Sequence, residues 1–155
     1  ISLDPLSPNF ARPKTDSGLQ NQGAYAADNE GAISYTLPNN QWQQVGLPRA
    51  LPSKENTVTA VFGDDLNGLT YNTHWVVYFY DTAKGNYVNP GLDGELQQGV
   101  GYWIIQKSGG AATLSLPSGS TATSSTTSTQ CPSNKKCFEI PLITKNGDTG
   151  WNMLS

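Results

Sequence analysis

The sequence predicts an antiparallel all-β sandwich or small barrel with at most one short helix. Two runs of aromatic and β-branched residues, 75–80 and 102–105, indicate strands, because these side chains fit a pleated and half-buried sheet surface. Clusters of Gly, Asn and Asp lie between the runs and supply turns. At 155 residues, the chain is long enough to form one domain with its own core.

Two strands are expected before the first aromatic run. Residues 32–37 alternate with a period of two, and residues 41–47 follow after a Pro-Asn-Asn turn. Residues 56–62 permit two interpretations, a strand or a short helix. The apolar residues of this segment recur at helical spacing and a Gly-Asp-Asp stop signal follows, which favours the helix.

Two hairpins are expected in the second half of the chain. Residues 75–80 and 87–88 flank a loop in which Gly85 is expected to have a positive φ. Residues 102–106 and 112–116 flank a Ser-Gly-Gly turn, so they are expected to pair with each other as the second hairpin.

The strand at 75–80 is expected to be covered on both sides. Its alternate side chains divide into one set of Trp75, Val77 and Phe79 and another of Val76, Tyr78 and Tyr80. Neither set is polar, and a strand with two apolar faces needs a packing partner on each of them.

Composition divides the chain into four segments. Residues 1–31 contain three prolines and are predicted to form an extended N-terminal arm, and residues 32–116 are predicted to form the β-domain. Residues 117–137 are a Ser/Thr-rich linker that also contains both cysteines. Residues 138–155 are strands that either open a second, truncated repeat or complete the sheet.

The two cysteines, Cys131 and Cys137, are six positions apart in sequence. The turn-rich and weakly charged composition is typical of secreted proteins, which favours a disulfide between them. The alternative is a pair of free thiols. A metal site needs more ligands than these two thiols, and His74 is the sole histidine.

Charge and hydropathy exclude two classes of partner. Charged residues make up 14% of the chain, the formal net charge is −3, and the basic residues form no stripe. We therefore expect neither nucleic acid nor an anionic membrane surface as a partner. No apolar run of membrane-spanning length occurs, so membrane insertion is not expected.

A weak internal repeat relates the two ends of the β-region. Residues 33–37 and 42–45 are similar to residues 138–142 and 151–154, since each pair is a strand, a turn and a strand that begins with Trp. The pattern predicts that the chain stops inside its second unit. A terminal strand without a following partner either folds back on the first unit or pairs with another chain.

Four motifs follow one another in the β-region. They are Trp-x-x-Val-Gly-Leu-Pro at 42–48, Val-Phe-Gly-Asp-Asp-Leu at 61–66, Trp-Val-Val-Tyr-x-Tyr-Asp at 75–81 and Leu-x-x-Gly-x-Gly-Tyr-Trp-Ile-Ile at 96–105. In this order they resemble the uncharacterised β-rich repeat modules of large secreted or cell-surface bacterial proteins. The resemblance covers about 75 residues. It implies a secreted or bacterial cell-surface setting, and it implies no reaction.

Aromatic rings are the first candidates for a binding site, because exposed rings stack on sugar faces. The four tryptophans lie in predicted strands with apolar neighbours, where core packing is the default. The candidates for glycan binding are therefore tyrosines, namely Tyr71, Tyr78, Tyr80, Tyr87 and Tyr102.

Acidic residues are the second candidates. Asp64, Asp65 and Asn67 have oxygen atoms at a spacing compatible with Ca²⁺, but the segment lacks the ligand ladder and the bidentate Glu of an EF-hand, so a turn-forming role is favoured. No cofactor is expected. His74 has no nucleophile motif around it, and Asp93 and Glu95 lie two apart in a predicted turn, so no enzyme is expected.

The sequence thus predicts a non-catalytic structural or adhesive module of a bacterial extracellular or cell-surface protein. Its expected partners are other copies of itself, through strand pairing, or other surface proteins. The alternative is a carbohydrate-binding module that uses exposed aromatic residues.

Overall fold

The computed structural model of the chain describes residues 26–27, 33–121, 140, 142–144 and 152–154. In these ranges it has seven β-strands and one short π-helix. The elements are β1 (Ala26–Ala27), β2 (Ile33–Leu37), β3 (Gln43–Val45), the π-helix (Thr59–Gly63), β4 (Trp75–Asp81), β5 (Asn86–Val88), β6 (Tyr102–Gln106) and β7 (Ala112–Ser115).

The strands form two antiparallel sheets, which confirms the predicted fold class in its sandwich-like form. One sheet has the order β1-β2-β7 and the other has the order β3-β6-β4-β5. Neither sheet closes into a barrel within the described residues. Both sheets contribute to a single core, which also takes in the apolar side of the π-helix.

Fully buried aliphatic side chains from both sheets meet in this core. Leu37 and Leu114 come from the three-stranded sheet, and Val77 and Ile104 come from the four-stranded sheet; none is more than 1% exposed. Burying each such side chain contributes about 1.5–3 kcal/mol. The Tyr35 hydroxyl on β2 also donates a 2.9 Å hydrogen bond to Gln43 on β3, so one polar contact spans the sheets.

The prediction of a helix over residues 56–62 is confirmed, although it is a π-helix of five residues. The Thr57 hydroxyl accepts a 3.2 Å hydrogen bond from the Ala60 N–H, which satisfies a donor of the first turn. The helix ends at Gly63, as the Gly-Asp-Asp stop signal predicts, and turns follow as far as Gly68. Gly68 has a φ of 83°, and this left-handed conformation suits glycine.

The first predicted hairpin is confirmed and the second is wrong. β4 pairs with β5, and Gly85 in their loop has a φ of 71°. By contrast, β6 pairs with β3 on one side and β4 on the other, while β7 pairs with β2 in the other sheet. Because both edges of β6 are occupied and all five of its residues are buried, no edge remains for β7.

A buried glutamine holds the connection between β6 and β7. Gln106, fully buried, donates through Nε2 to the carbonyl oxygens of Leu37, at 3.3 Å, and Gly110, at 2.8 Å. Its Oε1 accepts a 2.7 Å hydrogen bond from the Ser108 N–H. These bonds fix the chain where it leaves one sheet for the other, and each buried polar atom so paired avoids a desolvation penalty.

Several predictions fall outside the described residues. The predicted N-terminal arm is described only at Ala26–Ala27, where β1 pairs with β2. Of the Ser/Thr-rich linker, residues 117–121 are described, and Thr121 forms an antiparallel bridge with Ala50. Cys131, Cys137 and Trp151 lie outside the described ranges.

Candidate binding surface

The four-stranded sheet has an inner face that packs on the core and an opposite, outer face. Cross-strand partners share a face, and Trp103 is opposite both Gln44 and Tyr78, while Tyr80 is opposite Tyr87. The neighbouring positions Val77 and Ile104 belong to the core, so these residues point away from it. The outer face consists of Trp42, Gln44, Val76, Tyr78, Tyr80, Tyr87, Trp103 and Ile105.

Burial changes along the outer face. Val76 and Ile105 are each 1% exposed, and Trp103 is 7% exposed. Tyr78 and Tyr80 are only half-buried, as is Tyr87. The sheet is therefore covered at the Val76 end of this face and partly accessible at the tyrosine end. The prediction that strand 75–80 is covered on both sides holds for residues 75–77 and not for the half-buried residues 78–80.

The rings of the outer face lie at steep angles to one another. Trp42 and Tyr78 have ring centroids 6.2 Å apart and planes inclined by 57°. Tyr80 and Tyr87 have centroids 5.3 Å apart in an edge-on contact of 76°. Both arrangements are favourable for aromatic pairs. They present single ring edges and faces, and neither pair forms a flat two-ring platform.

The five candidate tyrosines thus divide into two groups. Tyr78, Tyr80 and Tyr87 lie together on the outer face. Tyr102 lies on the inner face at 3% exposure, and its hydroxyl accepts a 2.7 Å hydrogen bond from the Gln97 N–H. Burial raises the pKa of Tyr102. Its ring is therefore a core element, which does not share a surface with the outer three.

Tyr71 belongs to the loop before β4 and packs against the core. Its ring makes an edge-on contact with Trp75 at 4.7 Å. Its hydroxyl donates a 2.6 Å hydrogen bond to Asn89 Oδ1, and Asn89 Nδ2 donates to Asn72 Oδ1 at 2.8 Å. Burial raises the pKa of Tyr71 to about 12, so the phenol stays protonated as a donor.

The acidic segment after the π-helix, which contains Asp64 and Asp65, contacts the edge of β7. The Asp65 carboxylate accepts hydrogen bonds from the Ser115 N–H and, at 3.1 Å, from the Ser115 hydroxyl. The Leu116 N–H is directed to Ile33 on β2, so the Ser115 N–H points to the open edge of β7. Asp65 therefore closes that edge with a charge. Burial raises the pKa of its carboxyl group.

The neighbouring polar residues make local contacts. Asp64 Oδ1 accepts a 2.9 Å hydrogen bond from the Asp65 N–H, and Asn67 is exposed in the following turn. Across the described part of the chain, no three His, Cys, Asp or Glu side chains group together as metal ligands do.

His74 holds the turn that leads into β4. Its ring Nδ1 accepts a 2.9 Å hydrogen bond from the Thr70 N–H, and its backbone N–H donates to the Thr70 carbonyl at 2.8 Å. Its own carbonyl accepts a 2.7 Å hydrogen bond from the Lys107 N–H beside β6. The Nδ1 contact gives the ring a structural role in this turn.

The sequence allowed that the C-terminal strand folds back on the first unit, but it did not locate the contact, which lies just before β6. Gly99, Val100 and Gly101, together with Gln44, form a cradle that holds the C-terminal segment at Met153 and Leu154. The Gly-x-Gly pattern was visible in the sequence as part of a motif. Its physical reason, which is close approach by another backbone, needed the three-dimensional structure.

No protein-family model, curated protein sequence or solved structure matches this chain. Among the described residues, no helix has the length and apolar character needed to cross a membrane.

Proposed function

We propose that the chain is a non-catalytic structural or adhesive module of a bacterial extracellular or cell-surface protein. It acts through contacts made by its sheet and its C-terminal strand segment, with other copies or other surface proteins as partners. The weakly charged, turn-rich composition and the resemblance to bacterial surface repeat modules support this setting.

One observation carries the proposal. The C-terminal segment pairs by main-chain atoms with the residues just before β6, with Leu154 bridged antiparallel to Val100 and the Met153 carbonyl 2.9 Å from the Gly101 N–H. A site that accepts an extended segment in this way has a general means of joining chains, because main-chain hydrogen bonds provide affinity for any extended segment of suitable shape.

The side chains considered for chemistry support the same proposal. Asp65 bonds to Ser115 and His74 bonds to Thr70, so each is committed to the scaffold. Half-buried aromatic rings on the outer face are instead suited to contact with another surface.

The proposal is tested by coating beads with the full chain and measuring bead clustering. Coated beads are expected to cluster with one another, while beads coated with serum albumin stay dispersed. If coated beads neither cluster nor bind to bacterial surface fractions at any coating density, the adhesive function is excluded.

The alternative, a carbohydrate-binding module, is favoured by the joint location of Tyr78, Tyr80 and Tyr87 on one face. Their tilted rings suit single sugar units better than a flat polysaccharide strip. This function is tested by titrating the full chain with soluble glycans while the intrinsic fluorescence is recorded.

If sugars bind there, Tyr80→Ala should weaken binding about tenfold, which corresponds to about 1.4 kcal/mol. Tyr71→Phe is the matched control, because Tyr71 lies off the outer face and keeps its ring in this variant. A glycan whose affinity is unchanged by Tyr80→Ala binds elsewhere.

A further inference from the structure

The cradle holds its segment by main-chain atoms. The Gly101 N–H donates to the Met153 carbonyl at 2.9 Å, and Gln44 Nε2 donates to the Leu154 carbonyl at 2.8 Å. Val100 and Leu154 form an antiparallel bridge between these two bonds. Contacts of this kind recognise an extended backbone, whichever chain it belongs to.

The two glycines shape the cradle. A Cβ atom at Gly101 would lie 2.5 Å from Gln44 Nε2 and 3.1 Å from both the Leu154 carbonyl oxygen and Met153 Cγ, so a side chain there would crowd the segment. Gly99 has a φ of 79°, and a Cβ there would lie 2.8 Å from the Ile140 side chain. The positive φ at Gly99 favours glycine, and the close approach at Gly101 leaves little room for a side chain.

One side chain of the segment supplies selectivity. Met153 is 7% exposed and lies over Gly101, whereas Leu154 beside it is 46% exposed. Methionine is flexible and fills irregular recesses well. The recess over Gly101 therefore fits a long, unbranched apolar residue at the position of Met153.

The C-terminal part of the chain, which comprises residues 140–144 and the segment, also has exposed apolar side chains. In the described ranges four large apolar side chains are exposed, and three of them belong to this C-terminal part: Leu142 at 62%, Ile143 at 53% and Leu154 at 46%. The Asn152 side chain bonds to both the N–H and the carbonyl of Ile143 at 2.9 Å, which ties residues 143 and 152 together. Exposed apolar groups gathered in one place are typical of interaction sites.

We propose that the cradle of one copy accepts residues 152–154 of a second copy, so that copies are linked by exchange of the C-terminal segment. This inference rests on the proposed function and names its contact. Eighteen residues, 122–139, separate Thr121 from Ile140, and a chain of that length spans at most about 60 Å. The cradle of a neighbouring copy lies within this distance when copies are crowded on a surface.

The protein concentration determines whether the closed monomer or the form with exchanged segments is favoured. A segment tethered to its own cradle has an effective concentration in the millimolar range, so the closed monomer is favoured in dilute solution. Exchange preserves every contact of the closed form, and it is therefore favoured as the concentration of copies approaches about 1 mM.

Two full-length variants test the exchange by complementation. Gly101→Val blocks the cradle and keeps the segment, whereas Met153→Asp keeps the cradle and puts a charge at a buried contact. Neither variant alone has both an open cradle and an intact segment. We expect each to remain monomeric, and their mixture to form one-to-one dimers, detected by energy transfer between dyes and by native mass spectrometry.

Matched controls separate the contact from general effects. Gly110→Val adds the same side chain where a Cβ meets nothing within 4 Å, and Leu92→Asp adds the same charge at an exposed apolar position outside the segment. Circular dichroism checks that each variant is folded. If Gly101→Val does not fold, Gly101→Ala replaces it as the variant with the blocked cradle, because its Cβ would lie 3.1 Å from the Leu154 carbonyl oxygen.

The outcomes distinguish this inference from the proposed function. Dimers in the mixture, but in neither variant alone, support segment exchange. A mixture that stays monomeric overturns the exchange, and if coated beads still cluster, the adhesive function survives through another surface. If beads also neither cluster nor bind to bacterial surface fractions, both proposals are excluded.

Discussion

The inner and outer faces of the four-stranded sheet are equally apolar in sequence but differ in how they are covered. On the inner face Val77 and Ile104 are completely buried against the second sheet. On the outer face Val76 and Ile105 are buried to within 1%, yet Tyr78 and Tyr80 remain half-buried. The inner face is completely buried in the core, and the outer face is partly covered and has accessible aromatic rings.

This difference indicates which face of the sheet has side chains accessible to a partner. An antiparallel sheet normally pairs an apolar inner face with a polar outer face. Here the outer face is aromatic, and the segment that contains Met153 lies at its Gly101 end. The outer face therefore combines surface for packing with surface for contact, while the inner face serves stability alone.

The largest effect is expected from truncating the central strand on each face in turn. Ile104→Ala removes a side chain from the closed core and should cost about 3–5 kcal/mol. Ile105→Ala, one position further along the strand, should cost about 2–3 kcal/mol, because its surroundings can adjust to the cavity more easily. Urea denaturation of the two variants measures the comparison. Equal costs would mean that the outer face is as tightly packed as the core.

The second effect concerns the polar end of the inner face. Gln106→Leu leaves the buried partners of the glutamine without hydrogen bonds and should lower the free energy of unfolding by about 2–3 kcal/mol. Gln97→Leu, at an exposed position, is the matched control and should change stability by less than about 0.5 kcal/mol. A small effect of Gln106→Leu would show that water replaces those bonds.

The third effect is the coupling between Tyr80 and Tyr87 on the outer face. A double-mutant cycle with alanine should give a coupling free energy of about 0.5–1.5 kcal/mol, as expected for an edge-on aromatic pair. Denaturation of the two single variants and the double variant provides the measurement. Additive effects would mean that the two rings do not stabilise each other in solution.

The smallest effect is a dependence on alkaline pH. The pKa of Tyr71 is raised to about 12 in the folded chain, above its ordinary value of 10.0. The stability it contributes is fully present below pH 10 and is lost as the pH rises through about 12, because the unfolded chain releases the proton first. Tyr71→Phe should flatten the pH dependence of stability in this range. A profile identical to that of the unaltered chain would contradict the buried hydroxyl contact.

Local patterns in the sequence were sufficient for much of this fold. Period-two alternation placed Trp75 and Val77 on one face and Val76 on the other, and the loop glycine Gly85 has the positive φ that its hairpin requires. These features depend on residues close together in the chain, where spacing and turn chemistry determine the outcome.

Contacts between distant residues were not predictable in the same way. β6 pairs with β3 and β4 and not with β7, and this pairing cannot be read from residues close together in the chain. The buried Gln106 bonds to Leu37, 69 positions away, and a glutamine in a strand gives no sign of this contact. The cradle joins Gln44 to Leu154, which is 110 positions away. The Gly-x-Gly pattern indicates close approach at 99–101 but cannot name the approaching segment.

The central claim is that copies of this chain join through strand contacts, and light scattering of the full chain over a wide range of concentration tests it most directly. The account predicts a molar mass near 16.6 kDa in dilute solution that rises toward multiples of this value as the concentration approaches about 1 mM. A mass that stays at 16.6 kDa over the whole range would contradict it.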